Sequence, residues 1–179
     1  GLLKKRDPKN VLIFTNTKHD AMRVAGRLSG NGYECDFIIG DLPQKRRTRI
    51  IDNIKSGKLK CLVATDVAAR GLHINDLDLV INYDIPEDYE SYVHRIGRTA
   101  RAGKSGMAVT LACEKFVYGL EAIESYIKMK IPVQWAGEDL YVEDACPEEF
   151  IREFMRTNRG GKEMPQRGER PARGERKPR

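Results

Sequence analysis

The feature that most constrains this sequence is a steady alternation of short apolar runs with longer amphipathic stretches. Val11-Leu12-Ile13-Phe14-Thr15 is apolar almost throughout, as a strand covered on both faces must be. Ala21, Val24, Ala25 and Leu28 then recur at helical spacing, which marks one buried helical face. Thr17, with Asp20 three residues on, is placed to cap that helix, and Gly30-Asn31-Gly32 to end it. Cys35-Asp36-Phe37-Ile38-Ile39 reads as the next strand, followed by a helix over about residues 43–56 with Pro at its start and Gly57 beyond its end. Cys61-Leu62-Val63-Ala64-Thr65, Leu79-Val80-Ile81-Asn82 and residues 107–111 read as further strands. A short helix falls over residues 89–95, and Phe116, Leu120, Ile123 and Ile127 are expected to line a last core helix.

Strand and helix in alternation specify an α/β fold, a parallel sheet sandwiched between helices. Ligands of such sheets bind beyond the carboxyl ends of the strands. The polar clusters Thr15-Asn16-Thr17, Gly40-Asp41, Thr65-Asp66 and Asn82-Tyr83-Asp84 fall at those ends. A functional edge is therefore expected before any family is considered.

The chain divides by composition. Residues 1–133 are expected to form the α/β domain, residues 134–156 an extension with a short helix opening near Pro147, and residues 157–179 a disordered Arg/Gly-rich tail. Arg167-Gly168-Glu169-Arg170 recurs as Arg173-Gly174-Glu175-Arg176, a low-complexity repeat. The whole chain carries a formal charge of +6, and the stretch from Arg156 onward, with nine Lys/Arg and three Glu, carries all of it. A neutral body with a cationic tail points to a polyanionic partner. Trp135 and Tyr141 are read as packing residues in preference to a partner surface.

No run of about 18 apolar residues and no signal-like N-terminus is present, so the expectation is a cytoplasmic protein that contacts no membrane. Cys35, Cys61, Cys113 and Cys146 are widely spaced, as are His19, His73 and His94. Reduced buried thiols are expected, with no metal site.

Two stretches carry chemistry. His94-Arg95-Ile96-Gly97-Arg98-Thr99-Ala100-Arg101 spaces its arginines by three residues, so that several guanidiniums can converge on one anion. By itself such an octamer is equally well a solvated basic loop. Ala64-Thr65-Asp66-Val67-Ala68-Ala69-Arg70-Gly71-Leu72 delivers a hydroxyl and backbone N–H groups to the sheet edge, where they can meet phosphate. By itself it is equally well a strand-to-helix turn with a capping Asp. Gly103-Lys104-Ser105 mimics the end of a P-loop, but Gly97 is too far upstream and no strand precedes it.

Taken together, the two stretches closely resemble motifs V and VI of the DEAD-box RNA helicases. Leu12-Ile13-Phe14-Thr15-Asn16-Thr17 resembles motif IV, and Gly40-Asp41 with Gln44-x-x-Arg47 resembles the QxxR motif. The four motifs stand in family order over about residues 10–112. Ala69-Arg70-Gly71-Leu72-His73 with Leu111-Ala112-Cys113-Glu114 is similar to the bacterial RhlB-type members. The resemblance implies the second RecA-like domain of an ATP-dependent RNA helicase, which clamps ATP with Mg²⁺ against an N-terminal RecA-like domain of the same enzyme and RNA across both. It implies that Arg98 and Arg101 are arginine fingers, the catalytic pair. Asp66, Gly71, His73, His94, Arg95 and Gly97 would line the nucleotide side and couple it to closure. Thr15, Asn16, Gly40, Asp41, Gln44, Arg47 and Thr65 would contact the RNA backbone. The metal would be held by the other domain. An RNA-decay endonuclease is the protein partner that the RhlB-type likeness suggests.

Two positions depart from the family pattern. His73 stands where Asp is common, and Ala100 where Gly is common, the latter expected to change little. Two other readings remain open: a DNA-directed helicase with the same sheet, and a non-catalytic RNA-binding or RNA-annealing module whose tail does the binding. The residues include neither a P-loop lysine nor an Asp-Glu-Ala-Asp stretch, so the chain alone is expected to hydrolyse no ATP.

Overall fold

The computed structural model describes residues 1–72, 74, 76–100, 105–114 and 117–158. After a short helix α1 (Leu2–Arg6), the alternation read from the sequence is realised as β1 (Val11–Thr15), α2 (Lys18–Gly30), β2 (Cys35–Ile38), α3 (Gln44–Lys55), β3 (Cys61–Thr65), α4 (Asp66–Ala69), β4 (Leu79–Asn82), α5 (Tyr89–Ile96) and β5 (Met107–Thr110). Two more helices follow, α6 (Gly119–Ile127) and α7 (Glu148–Asn158). The five strands form one sheet in the order β2-β3-β1-β4-β5, parallel at every pairing. This is the α/β, RecA-like sandwich expected.

The order explains where a site can form. After β1 the chain moves outward to β2, whereas after β3 it crosses to β4 and then continues to β5. Right-handed crossovers therefore put α2 on one face and α3, α4 and α5 on the other. The direction of winding reverses beside β1, so a crevice opens beyond the carboxyl ends of β1, β3 and β4. β1 and β3 are buried along their whole length, which fixes that end rigidly.

Local signals behave as their chemistry dictates. The Thr17 hydroxyl accepts from the Asp20 N–H at 3.0 Å and caps α2. Gly32, at φ +87°, ends the turn after α2 in a conformation that side chains disfavour. The Asp88 carboxylate caps α5 by accepting from the Ser91 N–H at 2.6 Å and the Ser91 hydroxyl at 2.7 Å.

That cap is pH-sensitive. The Ser91 N–H and hydroxyl, aided by Arg70 and Arg95, hold the Asp88 carboxyl below its ordinary value. A group whose folded pKa is depressed stabilises the fold fully above its unfolded value and ceases to do so as pH falls through the folded one. Asp88→Ala should cost about 1 kcal/mol at neutral pH. The difference between variant and parent in urea melts should be full above the ordinary aspartate value of about 3.9 and shrink as pH falls below it.

The C-terminal region departs from expectation in three ways. First, α6 does not line the main core: Ile123 joins Ile85 and Tyr92 in a separate small cluster, with Leu120 and Ile127 at its margin. Phe116 lies outside the described residues. Second, Trp135 is 95 % exposed and Tyr141 74 % exposed, so the late aromatics do not pack. The extension is anchored instead by α7, whose Ile151, Phe154 and Met155 enter the main core. Third, α7 runs through Thr157 and Asn158, two residues given above to the tail. The rest of the tail lies outside the described residues.

α7 reaches the core because α2 offers it glycine. A Cβ on Gly26 would sit 3.0 Å from the Phe154 ring, and one on Gly30 would collide with the Cys146 side chain. Arg27 then straps the segment down through Asp144 at 2.6 Å and through Glu148, while Asn31 Nδ2 donates to Asp144 at 2.7 Å.

Candidate functional site

The crevice beyond β1, β3 and β4 is organised around one buried arginine. Arg95 is 1 % exposed although it comes from the last turn of α5. Its Nε donates to Asp66 Oδ1 at 2.8 Å and its Nη2 to Asp66 Oδ2 at 2.6 Å. Nη1 donates to the Asp84 carbonyl at 2.6 Å, and Nη2 also to Asn16 Oδ1 at 2.8 Å. Its Cζ lies 5.2 Å from the Phe14 ring centroid. Only the planar guanidinium fork can meet a carboxylate bidentately and still reach two further acceptors. Arg95 thus ties together the chain segments that leave β1, β3 and β4.

Asn16 and Asp84 close the network. The Asn16 N–H donates to Asp84 Oδ2 at 2.9 Å, and its Nδ2 to the Ile85 carbonyl at 2.9 Å. Deeper in the sheet, Asn82 Nδ2 donates to Thr110 Oγ1 at 3.0 Å.

Above this network lies a shallow cleft lined by Phe14, Asp66, Ala69, Arg70, Ser91, His94, Arg95 and Arg98. Arg70 and His94 are exposed and Arg98 is half-buried, its Nη1 donating to the Leu72 carbonyl at 3.2 Å. Gly71 follows Arg70 with φ +80°, the left-handed backbone that glycine adopts without strain. Gly97 is the C-cap of α5, its N–H on the Val93 carbonyl at 2.9 Å. Arg70 and Arg98 give the rim a positive edge, the sign that attracts anions. His73 and Arg101 lie outside the described residues. Among the described residues no three His, Cys, Asp or Glu side chains come together as a candidate metal site.

Ala100 has φ +53°, in the region where a Cβ costs about 1–2 kcal/mol. The substitution of a common Gly is thus not neutral. Ala100→Gly should raise the unfolding free energy by about 0.5–1 kcal/mol after the added freedom of the unfolded chain is allowed for. A shift of the urea midpoint in the opposite direction would show that the loop relaxes.

A second group of the expected residues gathers where β2 leads into α3. Gly40, Asp41 and Gln44 are exposed. Arg47 is half-buried, with Nη1 3.2 Å from the Ala68 carbonyl and Nη2 3.4 Å from the Ile39 carbonyl. Asp41 pairs with Lys18 across the gap to α2 at 2.6 Å, both more than half exposed, a contact that contributes little to stability.

Three of the expected RNA contacts are placed otherwise than the sequence suggested. Thr15 is fully buried and its hydroxyl donates to the Thr17 carbonyl at 3.2 Å. Thr65 is 7 % exposed. The side chain of Asn16 is taken up by Arg95 and Ile85. All three support the edge from below because the strand ends that carry them are central. Arg70 lines the cleft and Lys18 pairs with Asp41, and neither is among the residues expected at the site. Arg70 lies within the motif itself, so its position was signal enough, whereas nothing in the sequence links Lys18 to Asp41.

Comparison with known proteins shows the family and the fold. The family model for the helicase conserved C-terminal domain matches residues 1–103. The ATP-dependent RNA helicase RhlB of Shewanella pealeana is 48 % identical over 147 residues, 82 % of this chain and 34 % of the relative. That of Shewanella woodyi is 46 % identical over 169 residues, 94 % of this chain and 37 % of the relative. This chain therefore spans about a third of the length of the curated relatives it matches. Among solved structures, the Escherichia coli DEAD-box protein SrmB superposes with a TM-score of 0.71 at 32 % identity, covering 82 % of this chain and 83 % of that one. A DEAD-box protein from Methanococcus jannaschii superposes with a TM-score of 0.64 at 40 % identity, covering 72 % and 36 %.

Proposed function

This chain belongs to the helicase conserved C-terminal domain family, on its DEAD-box, RhlB-like branch, and from that premise we propose that it is the second half of an ATP-dependent RNA helicase, coupling ATP binding and hydrolysis to local unwinding of RNA duplexes. The observation that carries the proposal is the cationic cleft above the Arg95 network. It lies at the reversal of the sheet, where α/β folds of this kind bind ligands.

In this reading the substrate ATP, with Mg²⁺, is held mainly by the N-terminal RecA-like domain of the same enzyme. Arg98 and Arg101 reach its γ-phosphate as arginine fingers, with His94, Gly97, Gly71 and His73 beside them. Asp66 and Arg95 act from beneath, since a rigid tie under the cleft keeps Arg98 aimed without reorganisation when the domains close. Gly40, Asp41, Gln44 and Arg47 face the RNA backbone, supported by Thr15, Asn16 and Thr65. Contacts confined to sugar and phosphate predict binding without sequence preference. The cationic tail adds salt-dependent affinity. The RhlB relationship extends the proposal to an RNA-decay endonuclease as protein partner.

The test is RNA-stimulated ATP hydrolysis by the chain alone and after it is joined to a DEAD-box first domain. Silence alone and activity when joined is the expected pair of results. Hydrolysis by the chain alone would overturn the division of labour, and inactivity of a folded joined protein would favour a non-catalytic RNA-binding module.

A further inference from the structure

One buried charge has no part in the site as described. Arg46 is 4 % exposed, although it lies in the first turn of α3 between Gln44 and Arg47. Its Nη2 is 3.2 Å from Asp36 Oδ1, and its Cζ is 5.0 Å from the Phe37 ring centroid. Asp36 and Phe37 are consecutive residues of β2, and consecutive side chains leave a strand on opposite faces. One guanidinium that touches both therefore wraps the outer edge of the sheet, since β2 is an edge strand. The Asp36 carboxylate is fixed in turn, because its Oδ1 also accepts from the Phe37 N–H at 2.7 Å. Phe37 is held from another direction by Phe154 of α7, with ring centroids 6.0 Å apart.

This arrangement constrains the rotation of α3 about its own axis. Residues three apart share a helical face, and their immediate neighbours point elsewhere. With Arg46 clamped to the β2 edge, Gln44 and Arg47 are turned together toward the other side. There Arg47 spans the Ile39 and Ala68 carbonyls, bridging the end of β2 to α4. Ile50 and Ile54 hold the later turns of α3 in the core, but no side chain caps its first turn after Pro43, so the clamp is what orients that turn.

We infer that Arg46 and Asp36 form a latch that positions Gln44 and Arg47 for contact with the RNA backbone. The latch residues touch no RNA themselves. The inference rests on the RNA-binding reading of the β2–α3 edge. It also gives the extension a part in that edge, since α7 steadies Phe37 from behind.

The test is site-resolved. The 179-residue chain, labelled with ¹⁵N, is titrated with oligouridylate, and the Gln44 side-chain amide and Arg47 guanidinium resonances are followed by NMR. Thermal melts run in parallel. Arg47→Ala should weaken the affinity read at Gln44 by about tenfold, the loss of one charge-assisted contact. Arg46→Lys and Asp36→Asn should each weaken it about threefold to tenfold, and the double variant no more than either single one, as partners in one interaction require. Resonances of Arg70 and His94 should titrate as in the parent. A folded Arg46→Lys protein with unchanged titration at Gln44, or additive effects of the two variants, would overturn the latch. No titration at Gln44 or Arg47 in the parent chain would overturn the RNA reading of this edge, and the latch with it.

Discussion

Arg95→Ala should lower the unfolding free energy by about 3–5 kcal/mol. That is a large share of the roughly 5–15 kcal/mol that holds a domain of this size together. The cost comes less from the lost attraction than from what is left behind. Without the guanidinium, the Asp66 carboxylate loses two donors, and the Asp84 carbonyl and Asn16 Oδ1 lose one each. The buried Asp84 carbonyl keeps its desolvation penalty without compensation, whereas Asp66, about a quarter exposed, recovers part of its loss from water. Arg95→Lys should recover only part of the loss, because one ammonium cannot fork onto Asp66 and still reach Asp84 and Asn16. Urea denaturation measures both. A cost under about 1 kcal/mol for Arg95→Ala would mean that water replaces the guanidinium readily, and that the network is not what rigidifies the sheet edge.

Arg98→Ala is expected to leave stability nearly unchanged and to remove about a thousandfold or more of the ATPase rate in the protein joined to a DEAD-box first domain. Arg98 is half-buried at the rim of the cleft, donating to the Leu72 carbonyl at 3.2 Å. An interaction made only as charge develops lowers kcat and kcat/KM together. The KM for ATP should therefore move little. A loss smaller than tenfold, or a loss confined to KM, would remove the arginine-finger role from Arg98. The pair of variants separates two arginines three residues apart: Arg95 is expected to govern stability first and Arg98 rate alone.

Much of this could be read from local pattern. The parallel sheet was legible because strands buried on both faces are nearly uniform in apolar residues, as Val11–Thr15 and Cys61–Thr65 are. The Thr17 cap was legible because capping depends on residues three apart in sequence. Where reading failed, the deciding contact was remote. Nothing near Trp135 or Tyr141 in sequence says whether a surface awaits them, and both are exposed. α6 has the spacing of a core helix, yet it packs on α5 beside a small separate cluster because the main core is already filled from other directions.

The site divides in the same way. Strand direction, common to all five strands, was enough to put Thr15, Gly40, Thr65 and Asp66 at one end of the sheet, whereas Arg95, Arg98, Gln44 and Arg47 joined them only through the family resemblance. Depth was not legible. Arg95 and Arg98 are both arginines of one short stretch, yet one is buried with four hydrogen bonds and the other stands at the rim of the cleft. Thr15 and Thr65, expected to contact the RNA backbone, have buried side chains. Fold class and the functional edge follow from periodicity and chain order alone. Which residues of that edge face solvent and which hold the others in place was decided only by the tertiary structure, because burial depends on neighbours that the chain brings together from far apart.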